Sequence, residues 1–159
     1  VYKDKLYVGT MNYFVGSSLF VSADGVTFDT VYTNGNGDVR NAYTWWMQEY
    51  NDRLYVATFN TGDILDPNVP GEFDIFSKAD PSDPYEQWVF ETTNGFGNPF
   101  QYGIRSMETF DGKLMIGTAT ARVPTALKVY ELSAINGSSF IYVDTPLSYQ
   151  EARRYCKDT

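Results

Sequence analysis

The segment TNGNGDVRNAYTWWMQEYNDRLYVAT, Thr33 to Thr58, is written a second time as TNGFGNPFQYGIRSMETFDGKLMIGT, Thr93 to Thr118. Each copy opens on Thr-Asn-Gly-x-Gly and places a Met fourteen residues after that Thr. Each then turns, at Asn51-Asp52 or Asp111-Gly112, and closes on a Leu-led run ending in Thr. Every landmark moves by sixty positions. Self-similarity at such a period means one supersecondary unit, copied and stacked, because a single unit cannot bury both of its faces.

The Leu-led run occurs three times: KLYVGT (Lys5–Thr10), RLYVAT (Arg53–Thr58) and KLMIGT (Lys113–Thr118). The spacings are 48 and 60 residues. The excess fits DILDPNVPGE and DPSDP, which read as loops by their Pro, Asp and Gly content. Each unit then reads as four strands, A to D. Strand A is AYTWWMQEY or GIRSMETF, and B is the Leu-led run. Strand C is SLFVSAD, FDIFSKAD or LKVYELS, and D is TFDTVYT, QWVFETT or SFIYVDT. Asp24-Gly25, Asp80-Pro81 and Asn136-Gly137 mark the C–D turns. Aromatic content of 17%, dominated by Tyr, suits pleated surfaces.

Four short antiparallel strands per 40–50 residues is the arithmetic of a β-propeller blade. The expectation is therefore an all-β chain of about three four-stranded antiparallel blades, an incomplete ring, over residues 1–145 (about 1–33, 34–93 and 94–145). The first blade lacks its inner strand, since only Val1-Tyr2 precede a turn at Lys3-Asp4. Leu6, Leu54 and Leu114 should be equivalent, as should Met47 and Met107. Residues 146–159 are rich in helix formers, with Tyr149, Ala152 and Cys156 at helical spacing and Pro146 and Ser148 at the entry. They predict a short C-terminal helix or the start of a following domain.

Net charge is −8 with no Lys/Arg block, which argues against nucleic acid and anionic membrane partners. No apolar run reaches spanning length, so no membrane insertion is expected. There is no His, which removes Ser-His-Asp and Cys-His nucleophile schemes, and the single Cys156 excludes an internal disulfide. The chain opens at Val1 close to a strand, as a processed chain or an excised fragment would.

GSSLFVSADGVTF resembles the G-x-x-[LIV]-[WF]-x-S-x-D-G-x-x-[WF] hairpin of extracellular bacterial and archaeal propeller repeats. NGFGN, GIRSM and FDGKLMIGT are similar to the rest of that repeat. The hairpin is a relative of the sialidase Asp-box, S-x-D-x-G-x-x-W, from which SADGVTF is one residue short. The resemblance spans about residues 1–145 and implies architecture and a secreted or cell-surface location more than an activity. In the tail, Y-x-x-A-x-x-x-C after FIYVDTPLS resembles the opening of a C-type lectin-like domain, whose Cys would pair with a distant one.

In a propeller the D-to-A and B-to-C loops gather on one face around the axis. Here they carry Asn12, Tyr13, Asn60, Tyr43, Tyr102, Arg40, Arg105, Asn41 and Gln101. Aromatic faces beside amide and guanidinium forks suit glycan or surface-protein recognition. The last six are the candidate ligand-binding set, with Tyr43 and Tyr102 in nearly the same place of successive repeats. The expected function is a non-catalytic extracellular module for binding or scaffolding, with no catalytic residue. Its partners are a glycan or surface protein, and further blades or other copies that close the ring. The alternative is a sialidase-like hydrolase, using Arg40, Arg105 and Arg122 with Tyr43 or Tyr102 beside Glu49 or Glu108.

Asp63, Asp66, Asp80 and Asp83 offer calcium-type oxygen ligands without fixed spacing, so solvated loop charge is preferred and no cofactor is expected. Asp24 and Asp74 read as turn-structuring. Trp45, Trp46 and Trp88 read as inter-blade core, with Trp45 and Trp46 on opposite faces of their strand. Asn136, in NGS, is both a glycosylation sequon and an Asn-Gly hairpin turn.

Overall fold

The computed structural model describes residues 1–65, 68–120, 129–133 and 139–142, with backbone only at 63, 64 and the last two segments. Asp66, Arg122, Asn136, Cys156 and the helix expected over 146–159 lie outside the described residues, as does the Asp63 side chain. The described chain is all-β, and its longest helical segments are four residues. The strands are β1 (Leu6–Gly9), β2 (Leu19–Ser22), β3 (Asp29–Tyr32), β4 (Asn41–Tyr50), β5 (Arg53–Asn60) and β6 (Ile75–Lys78). They continue with β7 (Val89–Thr92), β8 (Gln101–Phe110), β9 (Lys113–Thr120), β10 (Val129–Ser133) and β11 (Ser139–Tyr142).

Every strand pairs antiparallel with its sequence neighbour inside three meanders: β1-β2-β3, β4-β5-β6-β7 and β8-β9-β10-β11. The second and third join at one point, Phe59 opposite Gly103. The first and second join at the matching point, Met11 opposite Tyr43.

The turns explain the meanders. Lys3-Asp4 (φ 47° and 58°), Asn51-Asp52 (47° and 55°) and Asp111-Gly112 (47° and 69°) are all left-handed at both central residues. That is the hairpin turn whose twist matches the flanking strands. The first closes a bridge between Tyr2 and Lys5, with backbone bonds of 3.0 and 3.1 Å. Asp24 builds the β2–β3 turn. Its Oδ1 accepts the amides of Val26 (2.8 Å) and Thr27 (2.7 Å) and the Ser22 hydroxyl (3.1 Å).

The middle meander is buried on both faces. Along β5, Leu54 and Val56 enter a core with Tyr7, Leu19, Val21 and Tyr32 of the first meander. Tyr55 and Ala57 enter a second core with Ile104, Met107, Leu114 and Ile116 of the third. On β6, Phe76 joins the first core and Ile75 the second. This is the period-two alternation of a strand with apolar partners on both sides. Full burial of one such side chain contributes about 1.5–3 kcal/mol. Leu54 and Leu114 are buried, whereas Leu6, beside the same kind of turn, is 38% exposed: it shares with Val8 the face of β1 opposite Tyr7, and among the described residues no sheet packs on that face.

Strand pairing slips at matching places. Ala42 and Tyr102 are extra residues between paired neighbours, and so are Trp45 and Arg105. Val31 and Glu91 are skipped in the same way on β3 and β7. A bulge bends its strand and re-aims the side chain it carries.

Candidate functional site

The end of β5 and the starts of β4 and β8 meet beside the loop after β1. Five aromatic side chains converge there. Phe59 touches four others edge-on: Trp45 (centroids 5.1 Å apart), Tyr102 (5.4 Å), Tyr43 (5.9 Å) and Tyr13 (6.3 Å). Trp45 and Tyr102 are stacked, 6.2 Å apart with planes inclined by 24°. The Arg105 guanidinium lies 4.5 Å from the Trp45 ring centroid. Tyr13 is 46% exposed, the other four rings are half-buried, and Arg105 is exposed. The result is an aromatic platform at the surface, drawn from three meanders.

Three of its members are bulge residues, Trp45, Tyr102 and Arg105. The expectation of core burial is corrected for both Trp45, which is half-buried, and Trp46, which is 37% exposed; at Trp45 the bulge lifts the indole out of the alternation. It comes to rest against Gly103, where a Cβ would stand 2.5 Å from the ring. Trp46 is also directed to the third meander and donates its indole N–H to the Met107 carbonyl (3.0 Å). The two tryptophans therefore do not divide between opposite neighbours. Trp88 does pack between sheets, edge-on to Tyr32 and Phe76.

Tyr43 and Tyr102 both reach the platform, but not as equivalents. Tyr43 corresponds in pairing to Gly103, and Tyr102 to Ala42. Asn41 and Gln101, expected at the same surface, are 0% and 1% exposed. They are the junction between meanders. The Asn41 carbonyl accepts the Ser17 amide (2.8 Å), while the Gly35 amide reaches the Ser17 carbonyl (2.8 Å). Gln101, Phe73 and Gly95 repeat that arrangement at 3.2 Å each. Gly35 and Gly95 have φ of 63° and 56°, and a Cβ at Gly35 would lie 2.9 Å from that of Asn41. The Thr-Asn-Gly-x-Gly motif is therefore a left-handed turn that lets the chain approach the next strand closely.

Below that junction lies a buried polar network. Asn41 Nδ2 donates to Asp74 Oδ2 (2.6 Å) and to the Gly35 carbonyl (3.1 Å), and Asn41 Oδ1 accepts from Thr58 Oγ1 (2.9 Å). Asn60 Nδ2 bridges Asn41 Oδ1 and Asp38 Oδ2, both at 3.3 Å. Burial pushes the Asp74 carboxyl up to about 6, against the hydrogen bond from Asn41, and the Asp38 charge adds to the rise. Asp74 is thus a network member rather than a simple turn former, which sequence could not separate from Asp24.

Arg40 is bidentate to Asp38, with Nε–Oδ1 at 3.0 Å and Nη2–Oδ2 at 2.9 Å, and this bond raises its pKa. It belongs to the rim of the polar network rather than to the rings. Glu49 and Glu108 lie near the turn ends of β4 and β8, six residues beyond Tyr43 and Tyr102 on each strand. At about 3.3 Å per residue that is about 20 Å. The tyrosine–glutamate sets considered from sequence are not brought together. Asp80 accepts the Ser82 amide (3.0 Å) and hydroxyl (2.5 Å), and Asp83 accepts the Tyr85 amide (2.8 Å). Among the described residues no cluster of His, Cys, Asp and Glu is able to hold a metal ion, and no helix is long and apolar enough to cross a membrane.

Comparison with protein-family models, curated proteins and solved structures gives no match.

Proposed function

We propose that the three meanders are consecutive blades of a β-propeller and that the chain is a non-catalytic binding module of a secreted or cell-surface protein. Its ligand is a glycan, received on the aromatic platform. The single observation that carries this is the surface arrangement of Trp45, Tyr102 and Arg105, re-aimed by bulges and held around Phe59. Burying these rings would have stabilised a core. Half-buried at the surface, they offer the uncovered parts of their rings to sugar C–H groups, with the exposed Arg105 guanidinium over Trp45 for hydroxyl or carboxylate oxygens. The blade reading is supported by turns, bulges and junction bonds that recur at matching positions. The extracellular location rests on the resemblance of the repeats. Exposed outer edges call for further blades or other copies of the chain to complete the ring.

A glycan array tests the reading. Arg105→Ala and the double variant Tyr43→Ala/Tyr102→Ala should lose binding shown by the parent protein while keeping its far-UV circular dichroism. Binding unchanged in both variants, or absent from the parent, would refute the platform as a glycan site. Light scattering tests closure: a stable monomer in solution would contradict association between copies.

A further inference from the structure

The same residues build both interfaces between neighbouring meanders. An aromatic pair on one meander faces the next: Tyr2 with Tyr7 (centroids 6.3 Å apart), then Tyr50 with Tyr55 (5.9 Å). The next meander answers with the Leu and the aliphatic residue that follow its tight turn, Leu54 and Val56 or Leu114 and Ile116. One hydroxyl of each pair crosses over. Tyr2 Oη donates to the Asp52 carbonyl (2.5 Å) and Tyr50 Oη to the Gly112 carbonyl (2.9 Å), each the second central residue of the next meander's turn.

The outer meanders carry the two halves of a third such interface. On the first, Leu6 and Val8 stand where Leu54 and Val56 do, and Phe20 lies opposite Val8 as Phe76 lies opposite Val56. Leu6 and Val8 are each 38% exposed, and Phe20 is half-buried. On the third, Phe110 and Met115 stand where the buried Tyr50 and Tyr55 do. Phe110 is 39% exposed and Met115 half-buried. Glu108, opposite Met115 in the pairing, turns its carboxylate back onto the Thr109 amide (3.1 Å).

We propose that these halves form one interface between copies of the chain: the Phe110–Met115 face of one copy docks head to tail on Leu6, Val8 and Phe20 of a second. The proposal rests on the reading of the meanders as stacked repeats and names the partner that continues the stack. The occupant is a second copy because this chain carries both halves. The open face of the first meander matches, position for position, the face of the second that the chain already covers with its own aromatic pair. A contact between two different patches leaves each copy with one free half, so it extends to a closed ring or a filament. Phe110 lacks the hydroxyl that crosses over at Tyr2 and Tyr50, so the contact between copies has one hydrogen bond fewer than those within the chain.

Sedimentation velocity over a concentration series reads the association, and the parent protein should associate reversibly. Val8→Asp and Met115→Asp each place a carboxylate in the apolar contact and should weaken association at least about tenfold. Circular dichroism should stay unchanged, because neither side chain is in the two cores. A mixture of the two variants retains one intact half on each and should form a heterodimer and nothing larger. Phe110→Tyr restores the crossing hydroxyl and should tighten association about three- to tenfold, the worth of one hydrogen bond. The docking is overturned if the parent is monomeric, if either Asp variant associates like the parent, if the mixture does not combine, or if Phe110→Tyr fails to tighten it. Tyr50→Phe reads the stacking within the chain separately, and should lower Tm without changing association. An unchanged Tm would overturn the stacked-repeat reading and the proposal with it. A lowered Tm beside a monomeric parent would overturn the docking alone.

Discussion

The Trp45 indole occupies the space that a side chain on Gly103 would need: an added Cβ would lie 2.5 and 2.6 Å from two of its ring carbons. Two strands from different meanders are fitted to each other by the absence of one methyl group. Because Tyr102 and Arg105 flank Gly103 on β8, the same fit seats the stacked pair and the guanidinium over the ring.

Gly103→Ala should therefore displace Trp45 and destabilise by about 1–3 kcal/mol, as overpacking does. Urea unfolding and the tryptophan emission maximum are the readouts. Gly117→Ala is the control. Its Cβ would meet only the Ser106 hydroxyl, at 2.6 Å, which can rotate away, so the loss should stay below about 1 kcal/mol.

Phe76→Ala should cost about 3–5 kcal/mol. The ring is fully buried and meets Tyr32 (5.5 Å) and Trp88 (5.1 Å) edge-on in the core between the first and second meanders. Phe90→Ala, at a half-exposed ring on the neighbouring strand, should cost distinctly less. Equal losses from the two would contradict a core on this face of β6.

Asp74 makes stability depend on pH with an unusual sign. Burial raises its folded pKa from 3.8 to about 6, so between those values the folded state binds more protons than the unfolded one. Its contribution is therefore unfavourable at neutral pH, and the penalty fades as pH falls from about 6 toward 4. At 1.36 kcal/mol per pKa unit the full penalty is at most about 3 kcal/mol. Asp74→Asn keeps an acceptor for Asn41 and should gain stability relative to the parent as pH rises from 4 to 7. A stability difference flat across that range would show that Asp74 is not buried as a charge.

The Asp24 carboxyl should titrate far below an ordinary aspartate. Amide bonds from Thr27 and Val26, and the Ser22 hydroxyl, lower it to about 2. A side-chain NMR titration reads the value directly. Asp24→Ala should speed hydrogen exchange at the Val26 and Thr27 amides while leaving the two cores intact. A carboxyl titrating near 4 would mean that the turn is not held this way.

Much of the chain's order was legible from its residues. Asn-Asp and Asp-Gly between Leu-led strands specify tight left-handed turns, and such turns force neighbouring strands into antiparallel meanders. These are local rules, set by one or two residues. The repeat likewise implied units stacked on one another, and the apolar run Leu54-Tyr55-Val56-Ala57 meets apolar partners on both faces of β5. Platform membership was partly legible too, since Tyr13, Tyr43, Tyr102 and Arg105 all fall in or beside the expected loops. Trp45 was not. A bulge is one extra residue, and nothing within the strand distinguishes it from its neighbours. Only the partner's pairing reveals it, and it reverses the face on which the next side chain stands.

The sequence by itself determined the turns, the strand succession and the double-sided burial of the middle sheet, because each follows from contacts near in the chain or from periodicity. Tertiary structure alone decided that Asn41 and Gln101 are buried junctions and that Asp74 shares a network with Asn41. It also decided that Trp45 leaves the core for the space at Gly103. Those positions are fixed by segments far apart in sequence, and which polar or aromatic group is enclosed depends on what the opposing strand leaves room for.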